Sequence, residues 1–183
     1  MDVRISFQVG ADDYLNYQLY MASQTPQIGT RRKKARIFVT LLYVAVALVL
    51  SLYGKYEIAG VVGVFAVLWF LFYPLQERRR YVRHFEKHIR ENFRDRLDQK
   101  SELTITDRQL TLRDPKNVGK IQISELKEMV ELPTLYMLRF NGGQSILLPK
   151  ATLQCNENID EKLQELSDEK NIPLKRLPNW RWK

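Results

Sequence analysis

The sequence predicts a membrane protein of the α+β class. Three observations lead to this fold class: one long apolar block in an otherwise charged chain, a four-residue apolar repeat behind it, and short alternating runs beyond residue 100. The predicted order is a two-helix transmembrane hairpin, an amphipathic connector helix, and a small, mostly antiparallel β domain capped by a C-terminal helix. The corresponding boundaries are 1–30 for an N-terminal strand-helix segment, 31–80 for the hairpin, 81–100 for the connector and 101–183 for the β domain.

Two apolar runs, 37–53 and 58–75, form the hairpin. A helix needs about 20 apolar residues, with a range of roughly 17–25, to cross a bilayer core, and both runs reach the lower end of that range. The intervening residues 54–57 read GKYE and hold the only two charges of the block, Lys55 and Glu57. A buried hairpin of a soluble protein is the alternative, but 183 residues leave too little chain to cover two all-apolar helices.

The basic residues predict the orientation of the hairpin. The net charge of +8 is concentrated on both sides of the apolar block, whereas the turn offers only Lys55. Basic clusters stay on the cytoplasmic side of a membrane, so we expect both termini in the cytoplasm and the protein in the inner (plasma) membrane. The residues expected at the membrane interface are Arg31, Arg32, Lys33, Lys34, Arg36, Trp69, Tyr73, Arg78, Arg79, Arg80, Trp180 and Trp182.

A narrow apolar stripe marks the connector. Its members recur every fourth residue and are Tyr81, Phe85, Ile89, Phe93 and Leu97. That spacing is typical of a helix with one buried face, which is expected to pack on the cytoplasmic domain or on a second copy of itself.

Motifs for catalysis and for metal binding are missing from the sequence. His84 and His88 share a helix face, but Phe85 stands where a metalloprotease motif needs glutamate, and no third ligand lies nearby. Cys155 is the only cysteine, which excludes an intramolecular disulfide. We therefore expect no catalytic residues, no metal and no cofactor.

Short alternating runs and turn residues predict the β domain. Residues 141–143, Asn-Gly-Gly, are a strong hairpin signal, and 124–132 stays open between a helical turn and a strand. A closing helix is expected at 157–171. The predicted strands cover 102–106, 109–113, 119–123, 135–140 and 145–148.

Several of these runs resemble the YcxB-like family of bacterial membrane proteins. They follow an N-terminal strand at 3–9, a helix with Tyr14 and Tyr17, the basic run and the hairpin, and they read LTITD at 103–107, IxxLxxMxE at 123–131, YML at 136–138 and ILLPK at 146–150. Such families commonly carry tryptophan where Ile123 stands here. The resemblance implies a pleckstrin-homology-like (PH-like) cytoplasmic β domain, and it transfers no catalytic residue.

The sequence favours a non-catalytic binding or scaffolding module held at the membrane. The alternatives are an accessory subunit of a transporter or sensor, and a membrane-associated enzyme in which Asp107, Arg108 and Glu131 meet. Expected partners are the lipid bilayer, anionic lipid head groups, and either a protein or a second copy of the chain. The spacing of Ala59 and Gly63 hints at the last of these. Nucleic acid is not expected, because the basic residues sit where membrane topology places them.

Two details of the lipid interaction follow from single residues. Arg108 is the only basic residue in the first predicted hairpin turn, which argues against a specific phosphoinositide site and leaves non-specific attraction to anionic lipid. The C-terminal Trp180 and Trp182 alternate with basic residues. Such a tail suits the membrane interface, or else its rings cap the core of the domain.

Overall fold

The structure, a computed structural model, describes residues 3–94, 97–155 and 158–182, except for the side chains of Arg31, Arg32 and Cys155. It confirms an α+β protein with two long apolar helices and antiparallel sheets. The helices are α1 (Ala11–Gln24), α2 (Pro26–Leu52), α3 (Tyr56–Asn92) and α4 (Ile159–Lys170). The strands are β1 (Val3–Gln8), β2 (Lys100–Ile105), β3 (Gln109–Arg113), β4 (Val118–Gln122), β5 (Leu126–Glu131), β6 (Leu135–Phe140), β7 (Ser145–Pro149), β8 (Gln154–Cys155) and β9 (Leu174–Arg176).

The chain divides into two units. The β unit comprises Met1–Tyr17 and Glu86–Arg181, and the helical unit comprises Gln18–Phe85 and Trp182–Lys183. The β unit contains all nine strands of the described residues and α4, whereas the helical unit contains α2 and most of α3.

Sheet A of the β unit has the strand order β4-β3-β2-β1-β8. Alternating Val3, Ile5 and Phe7 point into the core, as a half-buried strand requires. β1 pairs antiparallel with β2 along its whole length, from Val3 opposite Ile105 to Gln8 opposite Lys100. Residues that precede the two apolar helices in the sequence therefore complete a sheet whose other strands follow those helices.

Sheet B has the order β7-β6-β5-β9, and only the β5–β9 pair is parallel. The sequence leaves the segment 124–132 open between a helical turn and a strand. In the structure a single 3₁₀ turn, Ile123–Glu125, leads into β5, which ends at Glu131. The predicted Asn-Gly-Gly turn joins β6 to β7, with Gly143 at a φ of 80° that favours glycine. Residues of both sheets form one apolar core with Leu163 and Leu166 of α4.

Two helices of the helical unit, α2 and α3, are long and apolar enough to cross a membrane. The predicted second membrane helix and the predicted connector are one helix, because α3 continues through Pro74 to Asn92. The expectation of a helical connector to residue 100 is wrong at its end. Phe93 and Leu97 of the predicted stripe follow the helix, and the Phe93 ring lies 5.0 Å from Tyr14 of the β unit.

Candidate functional site

The largest exposed apolar surface belongs to α2 and α3. Soluble monomers rarely expose apolar patches larger than a few hundred Å², yet here most large side chains of both helices are uncovered, up to 88% for Leu52. Further exposed members are Phe38, Leu41 and Leu48 on α2, and Phe65, Leu71, Phe72 and Leu75 on α3. This surface requires an apolar environment or a partner.

Small residues occupy the side of α3 that faces α2. Ala59 and Ala66 are buried, and they line a groove of about 560 Å³ together with Thr40 and Ser51 of α2. The two hydroxyls donate hydrogen bonds to carbonyls of their own helix, Thr40 to Arg36 and Ser51 to Ala47, both at 2.9 Å. These two hydroxyls are thus satisfied without water.

Arg36 connects the two helices at the start of the apolar run. Its Nε donates a hydrogen bond of 3.1 Å to the backbone carbonyl of Phe70. Its guanidinium carbon lies 3.7 Å from the centroid of the Phe70 ring. Among the predicted interface residues, this arginine has a structural role in addition to its charge.

The other predicted basic residues are solvent-exposed. They are Lys33, Lys34, Arg78, Arg79 and Arg80. The side chains of Arg31 and Arg32 lie outside the part of the chain that the structure describes. These positions are compatible with contact to head groups, which remains a prediction.

A groove runs along α3 past the end of its apolar segment. It has a volume of about 620 Å³, and its lining includes Trp69, Tyr73, Arg80 and Arg83. The Trp69 and Tyr73 rings lie 5.4 Å apart. The indole N–H of Trp69 is buried and has no hydrogen-bond partner among the described residues. Aromatic rings beside exposed arginines are typical of the level where a membrane meets water.

The two C-terminal tryptophans differ in their environment. Trp182 is buried, 6% exposed, and its ring lies 5.5 Å from that of Tyr81 on α3. Trp180 is half-buried. Contact with lipid stays a prediction for both residues, although protein atoms cover the Trp182 ring.

One buried carboxylate of the β unit is held by two cations. Glu128 forms ion pairs with Arg139 and with Lys175, the latter at 2.6 Å. Burial alone would raise the pKa of Glu128, but the hydrogen bond from Lys175 and the charges of both partners outweigh it and hold the pKa below its ordinary value. The carboxylate therefore stays ionised and is not poised as a general base.

A second polar cluster lies where β6 meets α4. The Tyr136 hydroxyl donates a hydrogen bond of 2.8 Å to Asp160, and Lys150 pairs with Glu131 at 2.7 Å. Burial, followed by the hydrogen bond to Asp160 and its charge, raises the pKa of Tyr136 above its usual value of 10.0. Each of these groups has a partner. The Tyr136–Asp160 hydrogen bond holds α4 against β6, and the Lys150–Glu131 pair joins the end of β5 to the residue that follows β7.

The three residues of the enzyme alternative do not meet. Asp107 and Arg108 border an open cleft beside Leu126, the first residue of β5. Glu131 is the last residue of that strand, and it is paired with Lys150. Lys127, which also lines the cleft, lies four residues before Glu131, and four residues of extended strand span roughly 13 Å. The structure therefore gives this constellation no common site.

Neither histidine forms part of a metal cluster among the described residues. The His84 ring lies against Phe85, with centroids 5.6 Å apart. His88 contacts the Asn92 side chain at 3.0 Å. A third ligand for either imidazole is missing within the described ranges.

The sequence missed one basic site. Arg108, Lys127 and Lys170 line the same cleft, although they lie in three different elements. The sequence indicates only the turn residue Arg108 as a possible anion contact. Nothing in the spacing of the other two lysines indicates that the fold brings them beside it.

Comparison with known proteins identifies one part of the chain. Residues 105–167 match the family model described as YcxB-like protein. They extend from the last residue of β2 into α4, so this part of the β unit is a YcxB-like domain. No curated protein and no solved structure matches the chain.

Proposed function

We propose that this chain, in which residues 105–167 form a YcxB-like domain, is a membrane-anchored, non-catalytic binding or scaffolding module. The observation that carries the proposal is the exposed apolar surface of α2 and α3. In water that surface would be costly, since each Å² of apolar area removed from water contributes about 25 cal/mol. In a bilayer the same side chains contact lipid tails.

The charge distribution supports a hairpin with both ends in the cytoplasm. Exposed lysines and arginines flank the apolar segments at their chain-terminal ends, whereas the turn carries Lys55 and Glu57. In this arrangement Trp69 and Tyr73 lie at the inner interface, and Arg80 and Arg83 lie at the level of anionic head groups. Each basic residue near an anionic surface contributes about 1 kcal/mol.

The polar clusters of the β unit support binding rather than catalysis. Glu128, Glu131 and Tyr136 have the most conspicuous polar environments, and each is engaged by a partner: Glu128 by Lys175, Glu131 by Lys150 and Tyr136 by Asp160. A general acid or base needs a pKa shifted toward neutrality and a free approach for substrate. We accordingly assign these residues to the stability of a PH-like binding domain.

The accessory-subunit alternative is favoured by one observation. Gly60 and Gly63 line the groove between α2 and α3, and an added Cβ at either would meet no atom within 4 Å. That space accommodates side chains of a further membrane helix, from another protein or from a second copy of the chain. Small residues are enriched where membrane helices associate.

Cysteine labelling tests the anchoring and its topology. In a Cys155→Ser background, Tyr56→Cys places a thiol at the first residue of α3, beside the turn, and Lys116→Cys places one in the β unit. A membrane-impermeant maleimide should label Tyr56→Cys in intact cells and Lys116→Cys only after permeabilisation. Labelling of Lys116→Cys in intact cells contradicts the topology, and release of the chain by alkaline carbonate contradicts the anchoring itself.

Purification in mild detergent tests the scaffolding role. The full-length chain should carry a near-stoichiometric protein companion or form one defined oligomer by mass. A strictly monomeric chain without a companion in several detergents would contradict scaffolding.

A further inference from the structure

Three elements of the β unit border one open cleft: the turn between β2 and β3, the start of β5 and the end of α4. The cleft has a volume of about 810 Å³, within the range of roughly 300–1,000 Å³ typical of small-molecule sites. Each element contributes one basic side chain, Arg108, Lys127 and Lys170 respectively. We propose that this cleft binds the phosphate ester of a small polyol, either free or as the head group of a phospholipid.

The three basic side chains are available for a ligand. All three are exposed, and within the described part of the chain none of them forms an ion pair or a side-chain hydrogen bond. Asp107 is the only carboxylate among the described lining residues. Three cations against one carboxylate give the cleft an excess of positive charge, which attracts an anion from solution. The basic residues of sheet B differ, since Arg139, Lys150 and Lys175 are each paired with a glutamate.

The backbone is irregular where it presents these side chains. β5 pairs with β6 through Leu126 opposite Phe140 and Glu128 opposite Arg139, so Lys127 is the extra residue of a β-bulge. A bulge re-aims side chains and is over-represented next to functional sites. This one lets Glu128 reach Arg139 while Lys127 is left at the cleft. On the other side of the cleft, α4 ends at Lys170 and is followed by Asn171, which caps the helix in the left-handed region with a φ of 54°.

The neutral lining fits the polyol part of the ligand. Amide and hydroxyl side chains both donate and accept hydrogen bonds, as do the hydroxyls of a polyol. Such side chains in the lining are Gln109, Gln122, Ser124 and Asn171. Buried Ile123, Leu126 and Ile172 support them from below. A bare inorganic anion would use the cations alone, whereas a phosphorylated polyol uses both parts of the lining.

The proposal gives the binding module proposed above a ligand class and in that sense rests on it. Its residues all lie in the β unit and include none of the apolar helices. Failure of the labelling test therefore affects only the anchoring, and failure of the binding test affects only the cleft.

The test uses the full-length chain and two matched triple variants. The cleft variant is Arg108→Gln, Lys127→Gln and Lys170→Gln. The control variant is Arg113→Gln, Lys116→Gln and Lys120→Gln, which removes the same charge from exposed positions outside the cleft. One arm measures glycerol 3-phosphate binding by calorimetry in phosphatidylcholine nanodiscs. The second arm measures retention of phosphatidylglycerol by native mass spectrometry from mixed phosphatidylcholine and phosphatidylglycerol micelles.

Wild type and the control variant should bind alike, and the cleft variant should lose about tenfold in affinity for each cation removed. Loss in the first arm identifies a free phosphate ester, and loss in the second arm alone identifies a lipid head group. Absence of binding in both arms, or an equal loss in the control variant, overturns the proposal. Circular dichroism checks the fold of each variant. If the triple cleft variant is unfolded, the three single variants take its place, and their losses must exceed those of the single control variants.

Discussion

Arg36 of α2 hydrogen-bonds the backbone carbonyl of Phe70 on α3, with an Nε–O distance of 3.1 Å. In a regular helix that carbonyl accepts from the N–H four residues later, but here residue 74 is proline and has no N–H. The arginine therefore supplies the donor that the proline removes. Its guanidinium also lies over the Phe70 ring, so one side chain satisfies the exposed carbonyl and joins the two helices.

Replacing Arg36 by alanine should destabilise the helical unit by about 1–2 kcal/mol, because a hydrogen bond from a charged donor and a cation–π contact are lost. In a Pro74→Ala background the loss should be smaller, since the new N–H of residue 74 can bond the Phe70 carbonyl. Unfolding in mixed micelles with rising SDS, followed by circular dichroism, measures all four members of this double-mutant cycle. An identical cost in both backgrounds would show that the arginine does not compensate for the proline.

Glu128→Gln should destabilise the β unit by about 2 kcal/mol at neutral pH. The change leaves Arg139, whose side chain is 22% exposed, without its charged partner. The exposed Lys175 contributes less, because solvent screens its pair. Thermal unfolding of full-length protein in detergent gives the cost, and the exposed Glu125→Gln is the matched control with an expected change near zero.

The cost of Glu128→Gln should depend on pH. Folding lowers the pKa of this carboxyl, so its contribution to stability is complete above the ordinary value of 4.5 and is lost as the pH falls below it. The difference in stability between wild type and Glu128→Gln should therefore shrink as the pH falls through and below 4.5. A difference that stays constant over this interval would mean that Glu128 stabilises through packing and not through its charge.

Local patterns in the sequence predict the individual helices and strands, but they do not predict which strands pair with each other. Apolar length predicted the two long helices, and alternation with turn residues predicted the β2–β3 and β6–β7 hairpins. The end of the connector helix was less accurate, because the apolar repeat continues through Phe93 and Leu97 although α3 ends at Asn92. Alternation alone also could not tell that β1 pairs with β2 across the whole helical segment.

The candidate sites depend on pairings between distant residues. Lys175 reaches Glu128 across 47 positions of sequence, and the cleft combines Arg108 with two lysines from β5 and α4. A bulge at Lys127 decides which side chain of β5 faces Arg139. A one-residue shift in strand register is invisible in composition or periodicity, so the sequence indicated an isolated Arg108 where the fold builds a basic cleft.

Alanine and glycine positions on α3 should respond differently to a larger side chain, because Ala66 is buried whereas Gly63 has open space around it. Ala66→Leu should destabilise the hairpin by about 1–3 kcal/mol, because Ala66 is 4% exposed and a larger side chain overpacks the interface. Gly63→Ala should be neutral or stabilising, since its added methyl meets no atom within 4 Å and alanine favours helix. The SDS titration described for Arg36 measures both, and Ala45→Leu on the exposed face of α2 is the control. A large loss for Gly63→Ala would indicate that this glycine is packed against a second copy of the chain.

Measuring whether Trp182 stays buried should decide whether the C-terminal tail packs on the protein or enters the membrane interface. Its ring is covered and lies 5.5 Å from Tyr81, so Trp182→Ala should lower the stability of the helical unit by about 2 kcal/mol through lost aromatic packing. In a Trp69→Phe and Trp180→Phe background, brominated lipid in reconstituted vesicles should leave the remaining Trp182 fluorescence unquenched, because contact quenching needs access to the ring. The matched protein that keeps only Trp180, which is half-buried, measures access at the neighbouring tryptophan. Strong quenching of Trp182 would mean that the tail leaves Tyr81 in a bilayer and that its rings enter the interface.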